Sequence, residues 1–447
     1  MKPSKVVETF ITYSYGTWRL QRDWKKALHI KYGKGAYLYD ESGKAYLDFS
    51  AGLACVNLGY GNERIIEAVK EQVEKLAYLA PAYATDIRAE AAEELIKVLP
   101  DHLKKFVTSN SGAEANEDAL KIIRMYKAPA YKVIARYQSY HGSTAGAISL
   151  TGDPRRTAVE VHTNVRGTVF MPDPFCYRCP FNLEYPKCEL ACLRYLEYIL
   201  KNEGNVAAIF LEPVTGTNGV IIPPKEFYEG IKELTKEYDV LLVVDEVMSG
   251  WCRTGKWFAH QHWDLKPDIL TTAKGATSSY IPLGITATTK EIADFFEDKF
   301  LAVGHTFAYH PVAMAALKAA IEEYRSRNIN SHVERMGKYL GKRLEELKER
   351  HKSVGDVRGI GLFWALEIVK NRKTKKPFNT REDKILGRPF MTAKIASKLL
   401  EYGVIMSMAW ITHFVIAPPL IVNEEDIDKG IEAFDQALKI ADAEVEE

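Results

Sequence analysis

Two residues with the chemistry of a catalytic pair, Asp245 and Lys274, each follow a short apolar run. Asp245 comes directly after residues 240–244, VLLVV. An unbroken apolar run is typical of a strand that is buried on both faces of a parallel sheet. A carboxylate at the end of such a strand is costly to bury unless a cation meets it. Lys274 follows a second short apolar strand in ILTTAKG and stands beside Gly275, so its side chain can point into a cleft.

One cofactor uses both groups. Pyridoxal phosphate binds a lysine as a Schiff base and places an acid at its pyridinium nitrogen. A structural aspartate and a solvated surface lysine are the alternative, and they are more common when either residue is considered by itself. The rest of the chain therefore has to support the interpretation.

Two other predicted strands also end in polar residues. Residues 206–211, VAAIFL, end at Glu212, and the strand at 106–108 runs into the loop 109–112. Ligands of open α/β sheets bind outside the carboxyl ends of the strands. These residues, with Asp245, are therefore predicted to lie at one edge of a sheet.

The loop 109–112 precedes a predicted helix at 113–126. Small residues at a helix start leave backbone N–H groups free for a phosphate, and the expected contacts are Ser111, Gly112 and Ala113. A plain N-cap is the alternative. A strand at 132–135 is followed by Tyr140 and His141, and an aromatic ring there could stack on a flat cofactor, although a lone tyrosine is more often core or surface.

Length and composition limit the class of protein. The chain has 447 residues, 47% hydrophobic and 27% charged, which is ordinary for a globular protein. The net charge of +1 gives no argument for nucleic acid or an anionic membrane as a partner. No apolar run approaches the roughly 20 residues of a membrane span, and MKPSKVVETF lacks the apolar core of a secretory signal. A cytoplasmic enzyme is expected.

Three segments are expected along the chain. Residues 1–55 form an N-terminal arm and a β-meander with a turn at 41–43. Residues 56–325 form the large domain, and residues 326–447 form an α/β unit that completes a smaller domain with the meander.

Seven motifs follow one another along the chain: SNSGAEANEDALKIIR, YHGSTAGA, FLEPV, VVDEVMSGWCRTGKWFA, ILTTAKG, GHTFAYHPVA and VRGIGLFWALE. In this order they resemble the class III (omega-type) aminotransferases of the fold-type I pyridoxal phosphate enzymes. The resemblance implies an α/β fold with a mainly parallel central sheet in the large domain and a smaller α/β domain. It also implies pyridoxal 5'-phosphate, small-molecule amine and keto acid substrates, and a homodimer or dimer of dimers with active sites at the interface.

The family roles carry over residue by residue. Lys274 would form the Schiff base and shuttle the proton, and Asp245 would pair with the pyridinium nitrogen. Arg253 would order the loop beyond the cofactor strand, and no metal is required. The remaining cofactor contacts implied are Ser111, Gly112 and Ala113 at the phosphate, Val247 and Tyr140 on the two ring faces, His141, Glu212, and Thr306 reaching the phosphate of the neighbouring subunit.

The implied reaction transfers an amino group from an amine or ω-amino acid to an α-keto acid such as pyruvate. A class III amino-acid racemase or aminomutase is the alternative, because these enzymes share Lys274, Asp245 and Thr306. A dimeric scaffold that has kept the fold without activity is a second alternative.

The sequence departs from the family at two places. Many relatives carry an arginine shortly before the Pro-Pro-Leu motif that binds a substrate carboxylate, but GVIMSMAWITHFVIAPPL has none and offers Trp410 and His413 instead. Arg19 and Arg358 are the remaining candidates for that role.

The second departure is Ala54, where several relatives have a tryptophan. We expect a pocket that is apolar and roomy on one side, formed by Trp18, Leu53, Ala54, Tyr140 and Trp410, with Ala54→Trp narrowing it.

Four of the six cysteines, Cys176, Cys179, Cys188 and Cys192, fall in FCYRCPFNLEYPKCELAC. Disulfides, free thiols and a metal site all remain open, with metal the least favoured because the central gap lacks a compact knuckle pair. Cytosolic disulfides would be unusual in a mesophile but not in a hyperthermophile. Cys55 and Cys252 are expected to be buried small apolar residues.

Overall fold

The computed structural model describes residues 4–24, 27–159 and 165–446. The strands, numbered along the chain, are β1 Ile30–Lys34, β2 Tyr37–Asp40, β3 Ala45–Asp48, β4 Leu103–Ser109, β5 Lys132–Arg136, β6 Thr168–Met171, β7 Val206–Leu211, β8 Leu241–Asp245, β9 Ile269–Thr272, β10 Gly284–Thr289, β11 Val354–Ile360, β12 Phe363–Asn371, β13 Lys376–Pro377, β14 Val404–Ile405 and β15 His413–Ile416.

The described α-helices are α1 Lys5–Tyr13, α2 Ala51–Ala54, α3 Glu63–Lys75, α4 Asp86–Ile96, α5 Gly112–Tyr126, α6 Ala145–Leu150, α7 Pro154–Thr157, α8 Ala191–Glu203, α9 Lys225–Glu237, α10 Lys290–Phe295, α11 Pro311–Ser326, α12 Ile329–Arg350, α13 Arg381–Ile385, α14 Met391–Glu401 and α15 Glu424–Asp442. Short 3₁₀ turns occur at Gln21–Asp23, Cys176–Arg178, Ala259–Trp263 and Lys274–Thr277.

The centre of the molecule is a seven-stranded sheet in the order β4-β10-β9-β8-β7-β5-β6. The pairs β9–β8, β8–β7, β7–β5 and β5–β6 are parallel, while β10 runs antiparallel to both β4 and β9. Every residue of β8 and β9 is buried, and for β8 the unbroken apolar run before Asp245 predicts this. The predicted mainly parallel sheet is confirmed.

Helix α5 covers this sheet by packing seven buried residues against it, chiefly at β10 and β9. Helix α11 packs on α3 and α4. The strand predicted at 106–108 is longer than expected and begins at Leu103, because its pairing with β10 continues through Lys105 to Leu103, with an irregularity at Lys104.

The terminal segments form two smaller sheets. The predicted meander is β1–β2–β3, and β14 from the C-terminal part joins it in parallel beside β3. The other small sheet contains β11, β12, β13 and β15. Strands from both ends of the chain belong to one sheet, which agrees with a smaller domain built from both segments. The domain boundaries stay predictions. None of the helices in the described ranges has the length and apolar character that crossing a membrane requires.

Candidate active site

A cavity of about 550 Å³ lies at the carboxyl ends of the parallel strands. Residues that follow four different strands meet in its walls: Asn110 after β4, Glu212 after β7, Asp245 at the end of β8, and Lys274 after β9. Parallel neighbours deliver their carboxyl ends to the same edge, which is why residues distant in sequence converge here. The predicted grouping of polar strand ends is thereby observed.

Lys274 begins the 3₁₀ turn that follows β9 and is half-buried in the cavity wall. Its φ of 43° lies in the left-handed region, which is strained for a residue with a side chain. Burial lowers the pKa of its amine, although Asp245 and Glu212 act in the opposite direction. A lysine with a lowered pKa supplies a larger fraction of neutral amine, which is the form that acts as a nucleophile or base.

Asp245 is 3% exposed, and three donors hold its carboxylate. Oδ1 accepts a hydrogen bond from the Val247 N–H at 2.9 Å, and Oδ2 accepts from Asn116 Nδ2 and His141 Nδ1, each at 2.8 Å. These bonds fix the orientation of the carboxylate. With its proton on Nδ1, His141 keeps Nε2 buried and without a partner among the described residues.

Sequence reasoning missed Asn116. Its Nδ2 also donates to the His141 carbonyl at 2.6 Å, and its Oδ1 accepts from the Thr271 hydroxyl at 2.6 Å. Asn116 lies four residues after Gly112 on α5, so both fall on one helix face. The signal available in the sequence was a polar amide one helical turn after Gly112, on the same helix face as the predicted phosphate loop.

The predicted phosphate loop lies in the same cavity. Ser111 is the N-cap of α5, Gly112 begins the helix, and Ala113 follows, and all three line the cavity. A Cβ on Gly112 would lie 2.7 Å from Val247 Cγ1, closer than real contacts allow. Glycine therefore lets the helix start approach the residue that follows Asp245.

Glu212 is buried and accepts hydrogen bonds from the backbone N–H groups of Tyr140 at 3.0 Å and Gly216 at 2.8 Å. Burial raises the pKa of its carboxyl group. By holding the Tyr140 backbone, Glu212 positions the aromatic ring at the cavity.

These residues fit pyridoxal phosphate. A buried, hydrogen-bonded carboxylate is present for a ring nitrogen, an amine of lowered pKa for a carbonyl carbon, and a helix start of small residues for a phosphate. The glycine at 112 leaves a cradle that a Cβ would fill.

The predicted pocket residues are only partly together. Trp18, Leu53 and Tyr140 line the cavity, whereas Trp410 lines a neighbouring one. Thr306 is exposed and lies outside the lining of this chain's own cavity. Its proposed role toward a neighbouring subunit stays a prediction.

Ala54 requires a correction. It is 2% exposed, belongs to the core, and does not line the cavity. Its backbone has a φ of 57° within a kinked segment, and Leu53 and Cys55 face the cavity instead. The small side chain at position 54 therefore does not open the pocket, and Cys55 is a partly exposed wall residue rather than a buried one.

The two arginines expected to replace the missing one are used elsewhere. Arg19 is exposed, and its guanidinium lies 5.0 Å from the centre of the Trp24 ring. Arg358 forms ion pairs with Asp356 and Glu367, each at 2.8 Å. Arg253 is fully buried and donates to the carbonyls of Leu362 and Pro418 and to Asn57 Oδ1, as expected of a structural residue.

The four clustered cysteines line one small cavity of about 20 Å³. All six cysteines are free thiols, and no group of His, Cys, Asp or Glu in the described parts of the chain has the geometry to bind a metal ion. Burial raises the pKa of the Cys192 thiol to about 11, which disfavours the reactive thiolate. Cys252 is buried, as expected.

Residues 21–438 match the family model "Aminotransferase class-III". The chain is 33% identical to the taurine–pyruvate aminotransferase of Bilophila wadsworthia, over 93% of each protein. It is also 33% identical to the leucine/methionine racemase of Thermococcus litoralis, over 96% of this chain and 95% of that protein.

Among solved structures, the chain is similar to taurine:2-oxoglutarate aminotransferase from Bifidobacterium kashiwanohense in complex with pyridoxal phosphate and glutamate. The TM-score is 0.91 at 36% identity, and the match covers 98% of both chains. The fold predicted from the motifs is thereby confirmed.

Proposed function

The chain belongs to the class-III aminotransferases, and we propose that Lys274, Asp245 and the loop at Ser111, Gly112 and Ala113 form its active centre. It depends on pyridoxal phosphate and transfers the amino group of an amine or ω-amino acid to an α-keto acid. The observation that carries the residue assignment is the meeting of the Lys274 amine and the Asp245 carboxylate in one cavity wall, at the ends of adjacent strands.

When bound, pyridoxal phosphate supplies a carbonyl that exchanges amines and a ring that accepts the electrons released when the substrate carbon loses its proton. Lys274 would hold the cofactor through Nζ between turnovers. Once free, its amine would accept the proton from the substrate carbon and deliver it to the cofactor carbon, and the half-reaction with the keto acid would move the proton in the opposite direction. Its lowered pKa supports this role, because a base must be neutral to accept a proton.

Asp245 would meet the ring nitrogen and keep it protonated. His141 and Asn116 hold Oδ2 of the carboxylate in place, and the Val247 N–H holds Oδ1. Such preorganised groups stabilise developing charge without a reorganisation cost at the moment of reaction. Tyr140 and Val247 would contact the ring faces, and Glu212 positions Tyr140.

The helix start at Ser111 to Ala113 would bind the phosphate through backbone N–H groups and the positive end of α5. Thr306 would reach the phosphate of a second subunit, so the proposal includes a homodimer with two interfacial sites. The exposed position of Thr306 outside its own cavity supports this arrangement. The domain division at residues 55–56 and 325–326 is part of the same proposal.

Pyruvate is the proposed acceptor, and the donors are ω-amino acids or amines, following the taurine–pyruvate relative. Racemisation is the second candidate, favoured by the equal identity to the leucine/methionine racemase. The two differ in one requirement, because a transaminase needs a keto acid for turnover and a racemase does not.

A donor screen with the purified holoenzyme tests both. Each amine or amino acid is incubated with pyruvate, and alanine formation is measured. A parallel incubation without pyruvate is analysed for inversion of the amino acid. We expect alanine only when donor and pyruvate are both present, and none with Lys274→Ala. Inversion without pyruvate, with no alanine formed, would replace transamination by racemisation.

A further inference from the structure

A second cavity, of about 240 Å³, adjoins the active-site cavity and is lined by an excess of cations. Arg155, Arg178, Arg381 and Lys384 face two carboxylates, Asp153 and Glu367. Glu367 already pairs with Arg178 at 2.9 Å and with Arg358 at 2.8 Å. Positive charge in a partly buried space attracts an anion.

Arg155 stands at the boundary between the two cavities. Its guanidinium carbon lies 3.6 Å from the centre of the Tyr140 ring, 5.2 Å from that of Trp410 and 5.5 Å from that of Trp18. Tyr140 and Trp18 line the active-site cavity, and Trp410 lines the second one. Its side chain is 10% exposed and lines the second cavity, so its charge lies beside that cavity rather than in bulk water.

Asp153 fixes the orientation of Arg155. Its carboxylate accepts from Arg155 Nε at 2.8 Å and from Nη2, and it also caps the start of α7. Arg155 Nη1 has no acceptor among the residues that the structure describes. The two N–H groups of Nη1 are therefore available to a ligand while Asp153 stays in place.

Three more donors around this cavity lack acceptors within the described ranges. Arg178 Nη2 and Trp410 Nε1 are buried without a hydrogen-bond partner. Lys384 is half-buried, makes no ion pair with any described carboxylate, and lies with its Nζ 6.0 Å from the Trp410 ring centre. Unsatisfied buried donors are costly, so an arrangement of several around one space indicates an acceptor-rich ligand.

Resting on the proposed function, we propose that this cavity binds the acid group, a carboxylate or sulfonate, of a substrate whose amino or keto group lies at Lys274. An oxyanion has enough acceptor sites to meet Arg155 Nη1, Lys384 Nζ and Trp410 Nε1 together. Arg155 would thereby bind the substrate acid group in place of the arginine that the sequence lacks before Pro418. Arg358, the other candidate, is already committed to two carboxylates.

The Arg155 charge is also coupled to the catalytic lysine. It lies near enough to contribute to the lowered pKa of Lys274. An acid group bound at Arg155 offsets that charge and so reduces its effect on the pKa of Lys274. Binding at one end of the substrate would thereby influence the amine at the other end.

Calorimetric titration of the holoenzyme tests binding without turnover. The probes are butyrate and propane-1-sulfonate, which carry the acid group but no amine, and butanamide is the neutral control. Wild type should bind both anions and not the amide. Arg155→Gln should weaken anion binding by at least about ten-fold, the effect of losing a charge-assisted hydrogen bond. Arg19→Gln, an exposed arginine outside both cavities, is the matched control and should bind as wild type does.

Lys384→Gln is a second test that does not depend on the folding of Arg155→Gln. Lys384 lies on the short, partly exposed α13, so its substitution should leave the fold intact. It should weaken anion binding about two- to five-fold, as expected when one charged contact from a partly exposed side chain is lost. Anion affinity equal to that of wild type in Lys384→Gln and in any folded Arg155→Gln would overturn the proposal.

Two further measurements distinguish a substrate acid group from a free anion, and failure of this site from failure of the proposed function. For each chain length, the ratio of kcat/KM for an ω-amino acid to that for the matching alkylamine should fall at least about ten-fold in Arg155→Gln. Inorganic sulfate should compete with the ω-amino acid; sulfate that binds without competing would assign the cavity to a free anion and overturn the substrate role. A wild-type enzyme that converts no amine would refute the proposed function itself, whereas an unchanged ratio in Arg155→Gln would refute only this site.

Discussion

Replacing Lys274 by methionine should stabilise the cofactor-free protein. The side chain is half-buried, and no described residue accepts a hydrogen bond from its Nζ. Methionine has a similar length and no polar group, so it keeps the packing and removes the desolvation cost. The residue that we propose as essential for activity would then lower the stability of the cofactor-free protein.

The magnitude follows from the environment of the amine. Burying a polar group without a hydrogen bond costs about 1–3 kcal/mol in proteins, and the partial exposure of Lys274 favours the lower half, about 1–2 kcal/mol. For a chain of 447 residues this corresponds to a rise in melting temperature of roughly 1–2 °C.

The pH dependence identifies the cause. Burial lowers the pKa of Lys274 in the folded state, while an unfolded lysine has a pKa of about 10.4. Between these values the unfolded chain binds a proton that the folded chain does not, so wild-type stability falls as pH falls. The advantage of Lys274→Met should therefore be largest near neutral pH and shrink as pH approaches about 10.4.

Scanning calorimetry of both cofactor-stripped proteins from neutral to alkaline pH measures this difference directly. Lys266→Met, at an exposed lysine before β9, is the control and should show no pH-dependent difference. A difference that grows with pH, or a wild type that is the more stable protein at neutral pH, would refute the reasoning.

Three further outcomes are expected. Arg253→Met should lower the free energy of unfolding in urea by about 3 kcal/mol, because it leaves three buried acceptors unsatisfied; a change under about 0.5 kcal/mol would contradict the structural role. Gly112→Ala should weaken cofactor binding, measured by fluorescence titration, about ten-fold or more, since its Cβ would displace Val247; unchanged affinity would contradict the tight approach. Ala54→Trp should lower the melting temperature by about 1–3 °C, because a larger side chain overpacks the core, and it should not narrow the range of amine lengths accepted. A folded variant with a narrowed range would place position 54 in the pocket.

Much of the fold could be predicted from sequence because strands buried on both faces are visible as unbroken apolar runs. The run at Val206–Leu211 is a strand with the predicted bounds, and β8 ends at Asp245. Polar residues directly after such runs fall at one sheet edge by geometry alone, so Glu212, Asp245 and Lys274 were found without a structure.

The partners of these residues could not be predicted in this way. Asn116 is separated from Asp245 by helix, loop and strand, and nothing in a single helical asparagine indicates which carboxylate it meets. Arg155 lies on a four-residue helix beside another arginine, and only packing against Tyr140 and Trp410 sets it apart. Ala54 was misplaced because a backbone kink turns its side chain into the core.

The sequence by itself therefore determined the central sheet, the edge at which its polar residues gather, and the amine and acid that we propose as the catalytic groups. These depend on local pattern and on the rule that parallel strands share their carboxyl ends. Only the tertiary structure decided what holds Asp245, where Arg155 stands, and which cavity Trp410 lines. Those contacts join segments far apart in the chain, and their geometry is fixed by how the packed elements meet.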